Sequence, residues 1–157
     1  MKKYHYINIF MASSLFLLSS CCKQPYQLCE GFDTVNSIVL KNFYLAELDS
    51  VWLYKCVKNT NCISKTDSIK LENWRNYNGS TLQWEYILNN YMDTNHDYLL
   101  LIKDTNKSYT IENFIIDQET CKRCGEKRFK YNYIKNYLLN GSIKNIELPL
   151  MQIIIEK

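Results

Sequence analysis

Four cysteines have the type and spacing needed for chemistry in this chain. Cys121 and Cys124 are separated by two residues, so both thiolates could bind one metal ion or form a redox-active pair. Cys56 and Cys62 bracket a polar segment typical of a hairpin loop, where a disulfide would fix the turn. The sequence favours at least one disulfide. A zinc site of all four thiolates, or a reactive thiol at Cys121, is the alternative.

A second cluster offers oxygen ligands. Asp93, Asn95 and Asp97 stand at alternate positions, as at the start of a calcium-binding loop. Tyr98 occupies the sixth position, where such a loop needs glycine, and the residues that follow have a strand pattern. These departures favour a polar turn between two strands over a calcium site.

The sequence contains no recognisable catalytic site. Beyond the first 20 residues the chain has a single histidine, His96, so any Ser-His-Asp or Cys-His arrangement would depend on it. No Gly-x-Ser-x-Gly, His-Glu-x-x-His or phosphate-binding glycine loop occurs. We therefore expect a protein that is not an enzyme and that needs no cofactor.

The charge of the chain argues against nucleic acid as a ligand. The sequence has 19 basic and 16 acidic side chains, and two of the basic ones lie among the first three residues. The remainder is close to neutral, whereas nucleic-acid binding calls for a strong and clustered positive charge.

The first 21 residues have the pattern of an export signal. Lys2 and Lys3 precede an apolar stretch over residues 7–18, which is too short to span a bilayer. The stretch ends in Leu18-Ser19-Ser20-Cys21. This ending resembles the lipobox of bacterial lipoproteins, which signal peptidase II cleaves.

The resemblance implies where the protein is held. Residues 1–20 would be the signal peptide, and Cys21 would become the first residue of the mature chain, modified with a diacylglycerol and an acyl chain such as palmitate. Several acyl chains make membrane attachment stable. Cys22-Lys23-Gln24 lacks the acidic run associated with surface display in some bacteria, so we expect an envelope protein that faces the periplasm.

The rest of the chain predicts one all-β domain. Residues 21–36, with Pro25 and Gly31, have the composition of a tether, and residues 37–157 form the domain. A single antiparallel β-sandwich of about eight strands is the favoured architecture, with a β-barrel as the alternative. Strand patterns occur over residues 38–43, 51–54, 69–71, 97–102, 109–114, 128–133 and 151–156.

Two local features refine this expectation. Residues 81–91 fit both strand and helix spacing, and the surrounding strands favour a strand. Asn140-Gly141 is the preferred pair for a type I′ turn and predicts a hairpin. The overall pattern is similar to small immunoglobulin-like or transthyretin-like lipoprotein domains, which implies a fold and no particular function.

The leading functional hypothesis is a membrane-anchored, non-catalytic binding or assembly module whose partner is an envelope protein or a polysaccharide. It predicts aromatic side chains clustered on one sheet face. One alternative is a thiol-redox or zinc protein acting through Cys121 and Cys124. Another is a carbohydrate-binding module with an open platform of Trp74, Tyr77 and Trp84.

Overall fold

The structure is a computed structural model that describes residues 33–77, 82–121, 129–146 and 151–157, and these residues form ten β-strands. The strands are β1 (Thr34–Lys41), β2 (Val51–Val57), β3 (Lys65–Lys70), β4 (Trp74–Asn76), β5 (Gln83–Asp93), β6 (His96–Ile102), β7 (Lys107–Cys121), β8 (Phe129–Leu139), β9 (Ser142–Asn145) and β10 (Gln152–Glu156). Short 3-10 turns occur at Leu45–Glu47 and Lys103–Thr105.

The chain divides into two compact units. Residues 31–119 and 132–157 form the larger unit, and residues 1–30 with 120–131 form the smaller one. The sites discussed below belong to the larger unit. The predicted signal peptide and most of the predicted tether, up to residue 32, lie outside the described residues, and β1 begins at Thr34.

Two sheets confirm the prediction of an all-β fold. One is a four-stranded sheet in the order β10-β1-β5-β4, and the other is a six-stranded sheet in the order β3-β2-β6-β7-β8-β9. The strand number exceeds the predicted eight. The short strands β4 and β9 have fully exposed burial patterns, so they lack the apolar alternation by which a strand is recognised.

One strand pair differs from the predicted antiparallel arrangement. β10 runs parallel to β1, with Ser37 opposite Gln152 and Leu40 opposite Ile155. A short hairpin can join only antiparallel strands. Nearly the whole domain lies between β1 and β10 in the sequence, so their connection is long enough for either direction. The expectation that the apolar last strand must be paired is confirmed.

The core lies between the sheets and is built largely from alternate side chains of the longer strands. β5 buries Trp84, Tyr86 and Leu88, which confirms the strand interpretation of this segment from residue 83 to residue 91. Burying an aliphatic or aromatic side chain of this size contributes about 1.5–3 kcal/mol. The other strands contribute Val35, Ile38, Leu40, Val51, Leu53, Tyr98, Leu100, Ile102, Ile111, Ile134, Tyr137, Ile153 and Ile155 to the same cluster.

Two hairpins join successive strands, and one of them is the hairpin predicted at Asn140-Gly141. β6 and β7 are joined by a turn in which Asn106 adopts a left-handed conformation, and β8 and β9 pair around Asn140-Gly141. Both residues of this second turn have positive φ, 49° for Asn140 and 76° for Gly141, as a type I′ turn requires. The Asn140 side chain also accepts a hydrogen bond from the Thr110 amide at 2.8 Å, which fixes the turn against β7.

We expect Gly141→Ala to lower the free energy of unfolding by about 1 kcal/mol, because an L side chain rarely adopts this positive φ. A Cβ added here meets no atom within 4 Å, so the cost comes from the backbone alone. Urea unfolding measures the loss. Gly141→Asn is the matched control and should cost less, because Asn tolerates the left-handed region; equal losses would contradict the explanation.

Candidate functional site

The loop between β2 and β3, residues 57–64, is held by covalent and hydrogen bonds. Cys56 and Cys62 form a disulfide with their Cα atoms 5.0 Å apart, as the sequence predicted. The Thr60 hydroxyl donates to the Val57 carbonyl at 2.7 Å, and the Ile63 amide donates to the Thr60 carbonyl at 3.0 Å. We call residues 57–64 the disulfide loop. Its backbone is fixed by these bonds as well as by the disulfide.

Three residues of the disulfide loop have left-handed backbone conformations. The φ angles are 62° for Asn59, 49° for Asn61 and 56° for Cys62. Asparagine tolerates this region because its short amide bonds with local backbone groups. Cysteine has no such compensation, and its disulfide holds Cys62 in place.

A buried carboxylate anchors the loop to the sheet. Asp97 on β6 is only 1% exposed and lies opposite Cys56 in the strand register. Its carboxylate accepts the Asn59 amide at 2.7 Å and the Asn113 amide at 3.2 Å. Asn113 has a φ of 51°, which interrupts the regular geometry of β7. Asp97 therefore joins the disulfide loop, β6 and β7 at one point.

The turn between β5 and β6 packs beside this anchor. The Asp93 carboxylate accepts hydrogen bonds from the Lys55 ammonium and from His96 Nδ1, each at 2.8 Å. Burial raises the pKa of Asp93, but the hydrogen bonds from Lys55 and His96 outweigh it and hold that pKa below its usual value. The Lys58 ammonium donates to the Thr94 carbonyl at 2.9 Å and so links the disulfide loop to the turn.

The predicted calcium ligands do not converge. Asp93 and Asp97 bind different sets of protein donors, and Asn95 is exposed. The segment is a turn between two strands, as the favoured interpretation had it. Within the ranges that the structure describes, no group of three or more His, Cys, Asp or Glu side chains is arranged to hold a metal ion.

The disulfide loop carries apolar side chains into solvent. Ile63 is 87% exposed and Val57 is 41% exposed. A contact loop that is already ordered loses little conformational entropy on binding, so more of its contact energy appears as affinity. Ile63 was not among the residues predicted from the sequence to be functional. The signal that could have found it is an isoleucine directly after a loop-closing cysteine, where a polar residue is expected.

A second surface lies on the outward face of the six-stranded sheet. Val51 and Leu53 of β2 point into the core, so Trp52 and Tyr54 point outward, where both are half-buried. Their ring centroids are 6.4 Å apart and their planes differ by 23°. Lys103 and Lys65 place their ammonium groups 4.8 Å and 4.2 Å from the Trp52 and Tyr54 centroids, respectively. We call these four residues the β2 face.

The aromatic platform predicted for carbohydrate is not formed as an open surface. Trp84 is 5% exposed, and its indole donates to the Phe43 carbonyl at 2.9 Å. Trp74 packs edge-on against Trp84 with centroids 4.9 Å apart, and Tyr77 is half-buried. Trp84 therefore belongs to the core, whereas Trp74 packs against it from outside and remains 43% exposed.

The remaining predicted cysteines are only partly described. Cys121 is the last residue of β7, and its side chain is not among the described features. Cys124 and the predicted lipidation site Cys21 lie outside the described residues. The redox and zinc interpretations of Cys121 and Cys124 stay predictions.

A buried glutamate that was not predicted from the sequence joins all four strands of the small sheet. Glu85 on β5 is 3% exposed. Its carboxylate accepts hydrogen bonds from Ser37 on β1 at 2.8 Å, from Gln152 on β10 at 2.6 Å and from Arg75 on β4 at 2.6 Å. A buried carboxylate is stable only with such donors, so these bonds explain how a charged residue fits there.

Comparisons with known proteins leave the site to be interpreted from its own geometry. No family model, curated protein or solved structure matches the chain. Within its described part, no helix is both long and apolar enough to cross a membrane.

Proposed function

We propose that this chain is a lipid-anchored protein of a bacterial envelope, and that its β domain is a non-catalytic binding module that docks another envelope protein through the disulfide loop. The anchor rests on the sequence pattern that ends at Cys21. The binding role rests on one observation: Ile63 is 87% exposed on a loop whose backbone is fixed by a disulfide and by Asp97.

The fixed loop supports docking for two energetic reasons. An isoleucine that remains in water contributes nothing to folding, whereas its burial in a partner's pocket would contribute about 1.5–3 kcal/mol. Because the disulfide and the Asp97 anchor already order the loop, little of that gain is lost to ordering on binding. Val57, 41% exposed at the other end of the loop, extends the apolar contact.

Intact mass spectrometry of the protein from its native membrane tests the anchor. The expected mass begins at Cys21 and includes three acyl chains, and a Cys21→Ser variant should lack them. The same samples, measured with and without reduction and alkylation and analysed for metal, should contain no zinc. An unlipidated wild-type protein would contradict the proposed lipid anchor. Bound zinc, or reduced thiols at Cys121 and Cys124, would instead identify that pair as the functional site.

Site-specific photocrosslinking in native membranes tests the docking role. A photoreactive residue at the exposed position Ser64, next to Ile63 in the loop, should give one discrete crosslinked protein. Adding Ile63→Lys should reduce that product at least tenfold, since a loss of about 1.4 kcal/mol corresponds to tenfold in affinity. Ile143→Lys is the matched control, because Ile143 is 67% exposed on β9. Equal loss with both variants would contradict docking through the loop.

A further inference from the structure

We propose that the β2 face, formed by Trp52, Tyr54, Lys65 and Lys103, binds a carboxylate-bearing polysaccharide of the polyuronate type. This site is separate from the disulfide loop and does not depend on the docking role proposed above. It would let one anchored domain hold a protein and an acidic polymer at the same time.

The rings of the β2 face form a continuous apolar strip. Trp52 and Tyr54 are two residues apart on one strand, and their nearly parallel planes lie side by side. Leu101 and Leu99 on β6 stand opposite them in the register and are also half-buried on this outward side. Sugar rings present C–H bonds that pack well against such π faces, and two rings in a row suit successive units of a polymer.

The charge of the β2 face selects an acidic ligand. Among the residues that the structure describes, neither Lys65 nor Lys103 lies within 4.0 Å of a carboxylate. Each ammonium instead lies over an aromatic ring, an interaction worth only about 0.5–1 kcal/mol at an exposed site. Both ammonium groups can therefore move to a ligand's carboxylates at low cost and leave the ring faces to its sugars.

The position of β2 within the sheet disfavours a peptide ligand. β2 is hydrogen-bonded to β3 on one side and to β6 on the other, so it has no free edge for an added strand. A ligand here must be recognised by side chains alone. A membrane surface is also disfavoured, because both rings are half-buried and lie along the sheet, whereas insertion needs protruding apolar side chains.

Titration calorimetry with the detergent-solubilised full-length protein tests the proposal, using polygalacturonate and alginate oligomers as probes. Both should bind, and binding should weaken as salt is raised. Lys65→Ala and Lys103→Ala should each weaken binding by about three- to tenfold. Trp52→Ala should weaken it more than tenfold, whereas Trp52→Phe should retain most of it. Lys144→Ala, at an exposed position on β9, is the control and should bind as the wild type does.

Three further probes can overturn the proposal. Uncharged dextran should not bind, and equal binding would remove the role of the lysines. A single-stranded oligonucleotide should bind more weakly than the uronates; equal or tighter binding would show a general polyanion site. If vesicles with anionic lipids bind the protein through the same two lysines and the uronates do not bind, the β2 face is a membrane-binding surface and the proposal is wrong. Near-ultraviolet circular dichroism shows whether each variant is folded. If Trp52→Ala does not fold, Trp52→Phe still tests the role of the ring.

Discussion

Asp97→Ala is expected to lower the free energy of unfolding by about 3 kcal/mol, the largest effect of any single substitution near the disulfide loop. The Asp97 carboxylate is 1% exposed and accepts two backbone amides, from Asn59 and Asn113. Hydrogen bonds to a charged group contribute about 1.5–3 kcal/mol each, and a buried amide left without an acceptor adds a further cost. Urea unfolding measures the loss.

Asp104→Ala is the matched control for this prediction. Asp104 also accepts one backbone amide, from Ser50 at 2.9 Å, but it is exposed, so water can replace the lost acceptor. We expect a loss of at most about 1 kcal/mol there. If both alanine variants lost the same stability, burial of the Asp97 carboxylate would not be the cause.

The Asp97 substitution also has a local readout. Hydrogen exchange of the Asn59 and Asn113 amides should accelerate in Asp97→Ala, because both amides lose their acceptor. The pKa of Glu112 provides a second readout. Burial raises the pKa of Glu112, and the negative charge of Asp97 raises it further, so Asp97→Asn should lower it. An unchanged Glu112 pKa in Asp97→Asn would contradict this arrangement of charges.

Arg75→Ala is expected to make the domain sensitive to acid at a higher pH. Burial raises the pKa of Glu85, but the hydrogen bonds from Arg75 and Ser37 outweigh it and hold that pKa below its usual value of 4.5. A carboxylate whose pKa is lowered on folding stabilises the protein above its unfolded pKa, and this contribution disappears as the pH falls through the folded pKa. Without Arg75 the carboxylate loses its charged hydrogen-bond donor, so the folded pKa of Glu85 rises.

The cost of this substitution at neutral pH is smaller than for a fully buried pair. The Arg75 side chain is 68% exposed, so solvent screens its interaction with Glu85 and the loss of stability at neutral pH is small. Unfolding free energies measured between pH 7 and pH 3 should show the loss of stability beginning at higher pH in Arg75→Ala. Lys135→Ala is the control and should leave the pH profile nearly unchanged, because both side chains of the Lys135–Asp117 ion pair are exposed. For Arg75→Ala, a pH profile identical to the wild type would contradict the role of Arg75.

The features that sequence predicted best depend on local chemistry. The Asn140-Gly141 hairpin, the Cys56–Cys62 disulfide and the strand over residues 83–91 each rest on residues close together in the chain. Alternation of apolar side chains was enough for the two-sheet fold, because each strand must bury one face.

The features that sequence could not predict depend on distant residues. Glu85 gains its donors from residues 48 and 67 positions away, Ser37 and Gln152. The parallel pairing of β1 with β10 is likewise invisible to local patterns. The alternative carbohydrate-binding hypothesis placed Trp84 in an open platform, yet its ring is buried in the core.

The pairing of β1 with β10 also determines the order in which the domain can fold. Most neighbours in the six-stranded sheet are successive strands, so that sheet can grow by local hairpins as the chain emerges. The four-stranded sheet instead needs residues 37 and 152 to meet, and closing such a long loop is slow. Until residues 152–156 dock, β1 has one open edge and the Glu85 carboxylate lacks one of its three donors. We therefore expect β10 to dock late in folding.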